Sequence, residues 1–236
     1  MINSLRVLAT LIVLGLPSAL VFIPWALMTG DVNPLYNAAC WAARMALRAG
    51  GVRIATEGLD RVPAGTACIF MANHVSNLDP PAIYPLIPGR ASAFLKNSLM
   101  RIPILGYAFR LGELIPVSRD GSVQSAQESV AAAKRVLAKR LHIITFVEGT
   151  RSPDGRLLPF KKGPFYLAME AGVPCIPVSI FGTEKLMGKG SLRITRGTAH
   201  LVFHEPVHPG NYATREDLLA AVRTAIASGL PESMRG

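Results

Sequence analysis

Ala67-Cys68-Ile69-Phe70-Met71-Ala72-Asn73-His74-Val75-Ser76-Asn77-Leu78-Asp79-Pro80-Pro81 decides the fold. Its first five residues are apolar and partly β-favouring, which predicts a buried strand ending just before His74. Pro80 and Pro81 have no N–H, and this is tolerated where a helix begins, because the first donors of a helix have no internal partner. We therefore expect Asp79 at a helix N-cap and His74 on the turn between strand and helix. A carboxylate so placed reaches an imidazole across one tight loop. Bonded to one ring nitrogen, it would fix the tautomer and stabilise the imidazolium, leaving the other nitrogen to take a proton. The pair reads as a general base. The plainer alternative is a helix cap beside an ordinary loop histidine, and two carboxylate oxygens can serve both roles.

Outward from this corner, strands and helices alternate after Gly50-Gly51. Residues 52–56, 67–71, 91–95, 114–117, 143–147, 175–180 and 201–203 read as strands. Residues 80–86, 102–111, 122–140 and 215–228 read as helices. In the third of these, Val130, Ala133, Val136 and Leu137 trace an apolar stripe opposite Lys134, Arg135, Lys139 and Arg140. The fold class is α/β, a mixed sheet with helices on its faces.

At 236 residues the chain supports one sizeable core, or one domain plus an appendage. Its formal charge of +10 fits an anionic partner: nucleic acid, an acidic membrane surface or a phosphorylated substrate. Half the residues are hydrophobic, the mean hydropathy is +0.33, and aromatics are sparse. This favours a membrane surface over nucleic acid. Cys40, Cys68 and Cys175 show neither metal nor redox spacing and read as reduced, non-nucleophilic residues.

Residues 7–28 are apolar and uncharged, with Pro17 and Pro24 interrupting them; residues 36–49, with Trp41, Arg44 and Arg48, read as an interfacial amphipathic helix. Basic residues flank the apolar stretch on both sides, Arg6 before and Arg44, Arg48 and Arg53 after, whereas a single crossing concentrates them on one. We expect residues 1–50 to form a helical hairpin dipping into one leaflet from the cytoplasmic side, with a single spanning helix as the second reading. Residues 51–236 would form the α/β domain.

Asn-His, four residues, then Asp resembles the first motif of the glycerolipid acyltransferases, whose bacterial members include the 1-acylglycerol-3-phosphate acyltransferases. Three further stretches resemble that family in its order: Lys96 through Arg119, Phe146-Val147-Glu148-Gly149-Thr150-Arg151-Ser152, and Val173-Pro174-Cys175-Ile176-Pro177-Val178. Glu113 and Ser118 depart from the pattern, standing where the family has a glycine and often an acidic residue. Pro174 and Pro177 are expected to flank a strand, and the fourth stretch to shape a wall. Lys161 and Lys162 could add to a phosphate field or meet lipid headgroups.

The resemblance implies a glycerol-phosphate acyltransferase-like fold and acyl transfer from acyl-CoA or an acyl carrier protein to lysophosphatidic acid, with no bound cofactor and no metal. It casts His74 and Asp79 as catalytic, Arg151 and Arg119 as phosphate ligands, Glu148 as ordering the site, and Lys96, Gly149 and Thr150 as further acceptor contacts. It implies partnership with membrane lipids at the cell inner membrane, the site facing the cytoplasm. Another lyso-lipid acceptor, such as lyso-ornithine lipid, or a non-catalytic lipid-binding protein, remains open on the sequence. No role is assigned to His142, His200, His204 or His208.

Overall fold

The computed structural model describes residues 1–117 and 123–236. Among them β1 (Val52–Glu57), β2 (Ile69–Ala72), β3 (Ala91–Lys96), β4 (Ile115–Val117), β5 (His142–Phe146), β6 (Cys175–Phe181) and β7 (Gly197–Phe203) form one sheet in the order β1-β7-β6-β2-β5-β3-β4. Neighbours run parallel except β6 and β7, so the sheet is mixed.

The central strands are buried on both faces, which is why they read as unbroken apolar runs. Ile69 and Met71 of β2 join one core cluster; Cys68, Phe70 and Ala72 join the other. The first face is covered by α6 (Val123–Ala138), α7 (Gly163–Ala171) and α9 (Arg215–Gly229), whose Ala133, Phe165 and Val222 are buried. Over the second lie α3 (Asn33–Ala49) and α4 (Asp79–Ile83), through Leu47 and Ile83. The expected stripe on α6 is the face that packs. Helix α7 escaped sequence reading, although Pro164 at its start is a helix-opening signal.

Two proline expectations are corrected. Pro177 lies within β6, opposite Met71, and does not flank it. Its carbonyl accepts from His204 N at 3.0 Å, just past the last residue pair of the β6–β7 ladder. Its missing N–H therefore falls where the ladder has ended. Nor do Pro17 and Pro24 break the first segment. Helix α1 (Ile2–Thr10) passes through a wider π-turn at Leu11–Gly15 into α2 (Leu16–Thr29). That turn ends two residues before Pro17, in the stretch whose carbonyls Pro17 cannot bond.

Helix α3 turns back along α1 and α2 after Gly30, bringing Gly50 beside Val7, so the N-terminal segment is a helical hairpin with its bend at residues 30–32. The 28-residue helix Ile2–Thr29 is long and apolar enough to cross a membrane. Helix α3 is amphipathic, with Leu35, Ala42, Ala46 and Leu47 buried and Trp41, Arg44 and Arg48 exposed.

Candidate active site

Three parallel strands, β6, β2 and β5, end side by side in the middle of the sheet. Their carboxyl ends bring together Thr183 after β6, Asn73 and His74 after β2, and Glu148 and Gly149 after β5. Ligands of open α/β sheets bind at this edge.

Asn73 is buried and joins two strand ends. Its Nδ2 donates to Ile180 O at 2.8 Å and its Oδ1 accepts from Ile180 N at 2.7 Å. The backbone leaves β2 under this clamp, and His74 follows on the turn. His74 Nδ1 lies 2.7 Å from Asp79 Oδ2. The same oxygen accepts from Val75 N and Ser76 N, each at 2.8 Å, and Oδ1 accepts from the Thr183 hydroxyl at 2.6 Å. Asp79 is fully buried, so all of its partners are protein donors. An acceptor so engaged places the ring proton on Nδ1 and leaves Nε2 able to accept one. Phe146 stacks on the imidazole, centroids 4.0 Å apart, and restrains its rotation.

The expected N-cap role of Asp79 is corrected. Asp79 is the first residue of α4, Leu78 precedes it as cap, and Ala82 N donates to Leu78 O at 3.1 Å. With prolines at the next two positions, the carboxylate has no helix donor close by. It turns back to the loop N–H groups and the imidazole.

Glu148 lies under the corner, almost wholly buried, accepting from His74 N at 3.1 Å and from Leu158 N at 3.4 Å. Burial pushes its carboxyl up to about 7, with Asp79 adding to the rise. Gly149 adopts φ +70, the left-handed region that favours glycine, and an added Cβ would meet Lys161 Cγ at 3.1 Å. Thr150 is exposed beside it. Arg151 is half-buried on the same loop, and its carbonyl accepts from Lys189 Nζ at 2.9 Å.

Lys96 stands exposed at the end of β3. Together with His74, Gly149 and Lys161 it borders a cavity of about 890 Å³. The remaining wall is chiefly apolar, drawn from α3, α4, β3, α5 (Leu105–Leu111) and the start of α7. The structure thus brings His74, Asp79, Glu148, Gly149 and Lys96 to one place, with Arg151 on the adjoining loop. Arg119 and Ser118 lie outside the described residues. Glu113 holds φ +59, so it keeps the left-handed backbone of the expected glycine. Its carbonyl accepts from Ser92 Oγ at 2.6 Å, and its carboxylate pairs with Lys139 at 2.9 Å. Lys161 borders the cavity, whereas Lys162 turns away to Glu216.

Burial pushes the Cys68 thiol up to about 11 and that of Cys175 to about 12, which fits neither to nucleophilic work. His142 Nδ1 accepts from Cys68 N, and His204 lies 2.8 Å from Ser179 Oγ, so these histidines serve the fold. Sequence reading missed Asn73 as a clamp, Phe146 as a stacking partner and Thr183 as the second hold on Asp79. Asn73 and Phe146 stand inside the quoted motifs. Nothing local marks Thr183, 104 residues from the carboxylate it binds.

A family model described as Acyltransferase matches residues 53–181. The chain belongs to the acyltransferase family. The matched span takes in the whole corner except Thr183, which follows it. Among solved structures, that of the 1-acyl-sn-glycerophosphate (LPA) acyltransferase PlsC from Thermotoga maritima has a TM-score of 0.81 at 27% identity, covering 96% of this acyltransferase and 92% of that chain. A chloroplastic 1-acyl-sn-glycerol-3-phosphate acyltransferase, BAT2, of Brassica napus is 35% identical over 74% of this chain. The Limnanthes douglasii enzyme of that name is 27% identical over 97% of this chain and 80% of its own length. The acyltransferase described here spans about half of the Brassica protein, 50%. Among its described residues, no group of three or more His, Cys, Asp or Glu could hold a metal ion.

Proposed function

We propose that this chain transfers an acyl group from a thioester to the free sn-2 hydroxyl of 1-acylglycerol 3-phosphate, giving phosphatidic acid. The observation that carries the reading is a histidine, held by a buried carboxylate, on the wall of a largely apolar cavity large enough for a lipid chain. Membership of the acyltransferase family and relatives named for this reaction support it.

In this reading His74 Nε2 removes the hydroxyl proton as that oxygen attacks the thioester carbonyl. Asp79 holds the ring and stabilises the imidazolium. The tetrahedral intermediate collapses by breaking the C–S bond, the thiolate leaves, and the proton on His74 is available to it. Arg151 and Arg119 bind the acceptor phosphate, since a guanidinium matches two phosphate oxygens at once. Lys96 adds positive charge at the cavity rim, and Gly149 and Thr150 let the acceptor approach the backbone closely. The acyl donor is acyl-CoA or an acyl carrier protein, both anionic and suited to a chain of net charge +10. Residues 1–50 seat the enzyme in the inner membrane with residues 51–236 on the cytoplasmic side; the exposed apolar helix Ile2–Thr29 supports the membrane seating.

The test is a labelled acyl-transfer assay with lysophosphatidic acid against a panel of lyso-lipids lacking phosphate, in wild type and His74→Ala. Transfer to the phosphorylated acceptor is expected, falling by about 10³-fold in the variant. Transfer only to another lyso-lipid would overturn the acceptor. Transfer indifferent to His74 would overturn the base.

A further inference from the structure

The segment between β3 and α5 exposes more apolar surface than a water-facing loop needs. Residues 97–101 form a 3-10 turn, and Ile102-Pro103-Ile104 leads into α5. Ile102 is 41% exposed and Ile104 50%, with Leu99, Leu105 and Tyr107 also open. Scattered apolar side chains are ordinary on a surface, but five within nine residues form a patch.

The backbone directs that patch outward. Ile104 holds φ 64 and ψ −57, while Leu105 N donates to Pro103 O at 2.6 Å across it. This is the strained, positive-φ form of the γ-turn, and a β-branched residue rarely adopts it. Gly106 locks the turn from behind, because a Cβ there would run into the Met100 carbonyl. Ile104 is left half exposed at this turn.

Two observations indicate what covers it. Helix α5 touches α2, so the patch lies beside the N-terminal hairpin, on which Leu16, Leu20 and Trp25 are exposed and apolar. Residues 97–112 also contain no acidic residue, while Lys96 and Arg110 flank the patch and Arg101 lies within it. An apolar element accompanied by cations and no acidic residue suits an anionic lipid surface. The inner side of the same helix, Ala108 and Phe109, lines the cavity beside His74, and Leu105 borders both that cavity and the surface.

We infer that residues 99–107 form a second lipid-contacting element, inserted into the same leaflet as the N-terminal hairpin, so that acyl chains pass between α3 and α5 from the bilayer to the cavity. The inference rests on the membrane seating proposed above. It adds a contact about fifty residues beyond the hairpin, placed at the reaction's own entrance.

Single-tryptophan reporters test it in the full chain, with Trp25→Phe and Trp41→Phe as background. Ile104→Trp is compared with Val13→Trp on the hairpin and Ala220→Trp on α9. Each is mixed with anionic vesicles containing acyl-chain-brominated phospholipid, and thermal melting verifies that each is folded. Quenching at positions 104 and 13 but not at 220 is the expected result. Quenching at 13 with none at 104 would overturn the inference while leaving the membrane seating intact. No quenching at either, with no vesicle binding by the wild type, would remove both. A second variant, Ile102→Asp with Ile104→Asp, should bind vesicles through the hairpin yet lose about 5-fold or more of its turnover on bilayer-presented acceptor, while keeping its rate on detergent-dispersed acceptor. Equal loss in both formats would count against an entrance role.

Discussion

Thr183 donates its hydroxyl to Asp79 Oδ1 at 2.6 Å, so the carboxylate that orients His74 is itself held from the end of another strand. Thr183→Val keeps the shape and removes the donor. Leaving one buried carboxylate oxygen unmet should cost about 1–3 kcal/mol of stability. Turnover should fall while Thr183→Ser recovers most of it, as melting curves and steady-state rates on the three proteins will show.

Asp79→Asn tests the orientation of the base more directly. An amide oxygen can still accept from the imidazole, Val75 and Ser76, with the Thr183 hydroxyl turned to accept from the NH2 group, but it carries no negative charge to stabilise the imidazolium. Turnover should drop about 10²- to 10⁴-fold, the range for losing a positioned proton acceptor. Binding of lysophosphatidic acid, measured by equilibrium titration, should change little, and a matching loss of binding would assign Asp79 to the fold alone.

Glu148 should make stability depend on pH. Its folded-state value of about 7 stands above the ordinary 4.5, so the folded chain holds this proton more tightly than the unfolded chain does. The contribution is full below pH 4.5, falls as pH rises towards about 7, and levels off above, a span of about 3 kcal/mol at most. Urea midpoints at pH 5 and pH 8 should show a decrease that Glu148→Gln flattens. An unchanged slope in that variant would locate the titration elsewhere.

Asn73→Ala should destabilise without touching the chemistry. Both the N–H and the C=O of Ile180 lose their partner in a buried site, at a cost of about 2–4 kcal/mol. Asn73→Asp should rescue little, because a carboxylate cannot donate to the Ile180 carbonyl. Denaturant unfolding of both variants checks this, and near-wild-type stability of either would show that the clamp contributes little.

Much of the site was readable locally because its spacing is local. His74 and Asp79 are five residues apart, and a strand, a turn and two prolines constrain how the chain joins them. Glu148 and Gly149 were equally visible, since their strand ends in an apolar run. Two errors in the reading came from prolines. Pro177 sits inside a central strand and Pro17 beside a helical π-turn, and in each case neighbouring backbone supplies the accommodation that a proline rule assumes to be missing. Glu113 took the glycine-like φ because its carbonyl and carboxylate are anchored by Ser92 and Lys139, which local propensity does not register.

The sequence by itself determined the alternation of strands and helices, the apolar N-terminal segment, and the pairing of a histidine with a carboxylate at a strand's end, because periodicity, chain breakers and short spacings are local properties. Only the tertiary structure decided that β6, β2 and β5 lie side by side, that Thr183 and Asn73 therefore lock the pair, and that α3 and α5 wall an apolar cavity beside it. Those relations join residues scores of positions apart, and contacts at that range follow from how faces pack against one another, a choice that no single stretch of sequence encodes.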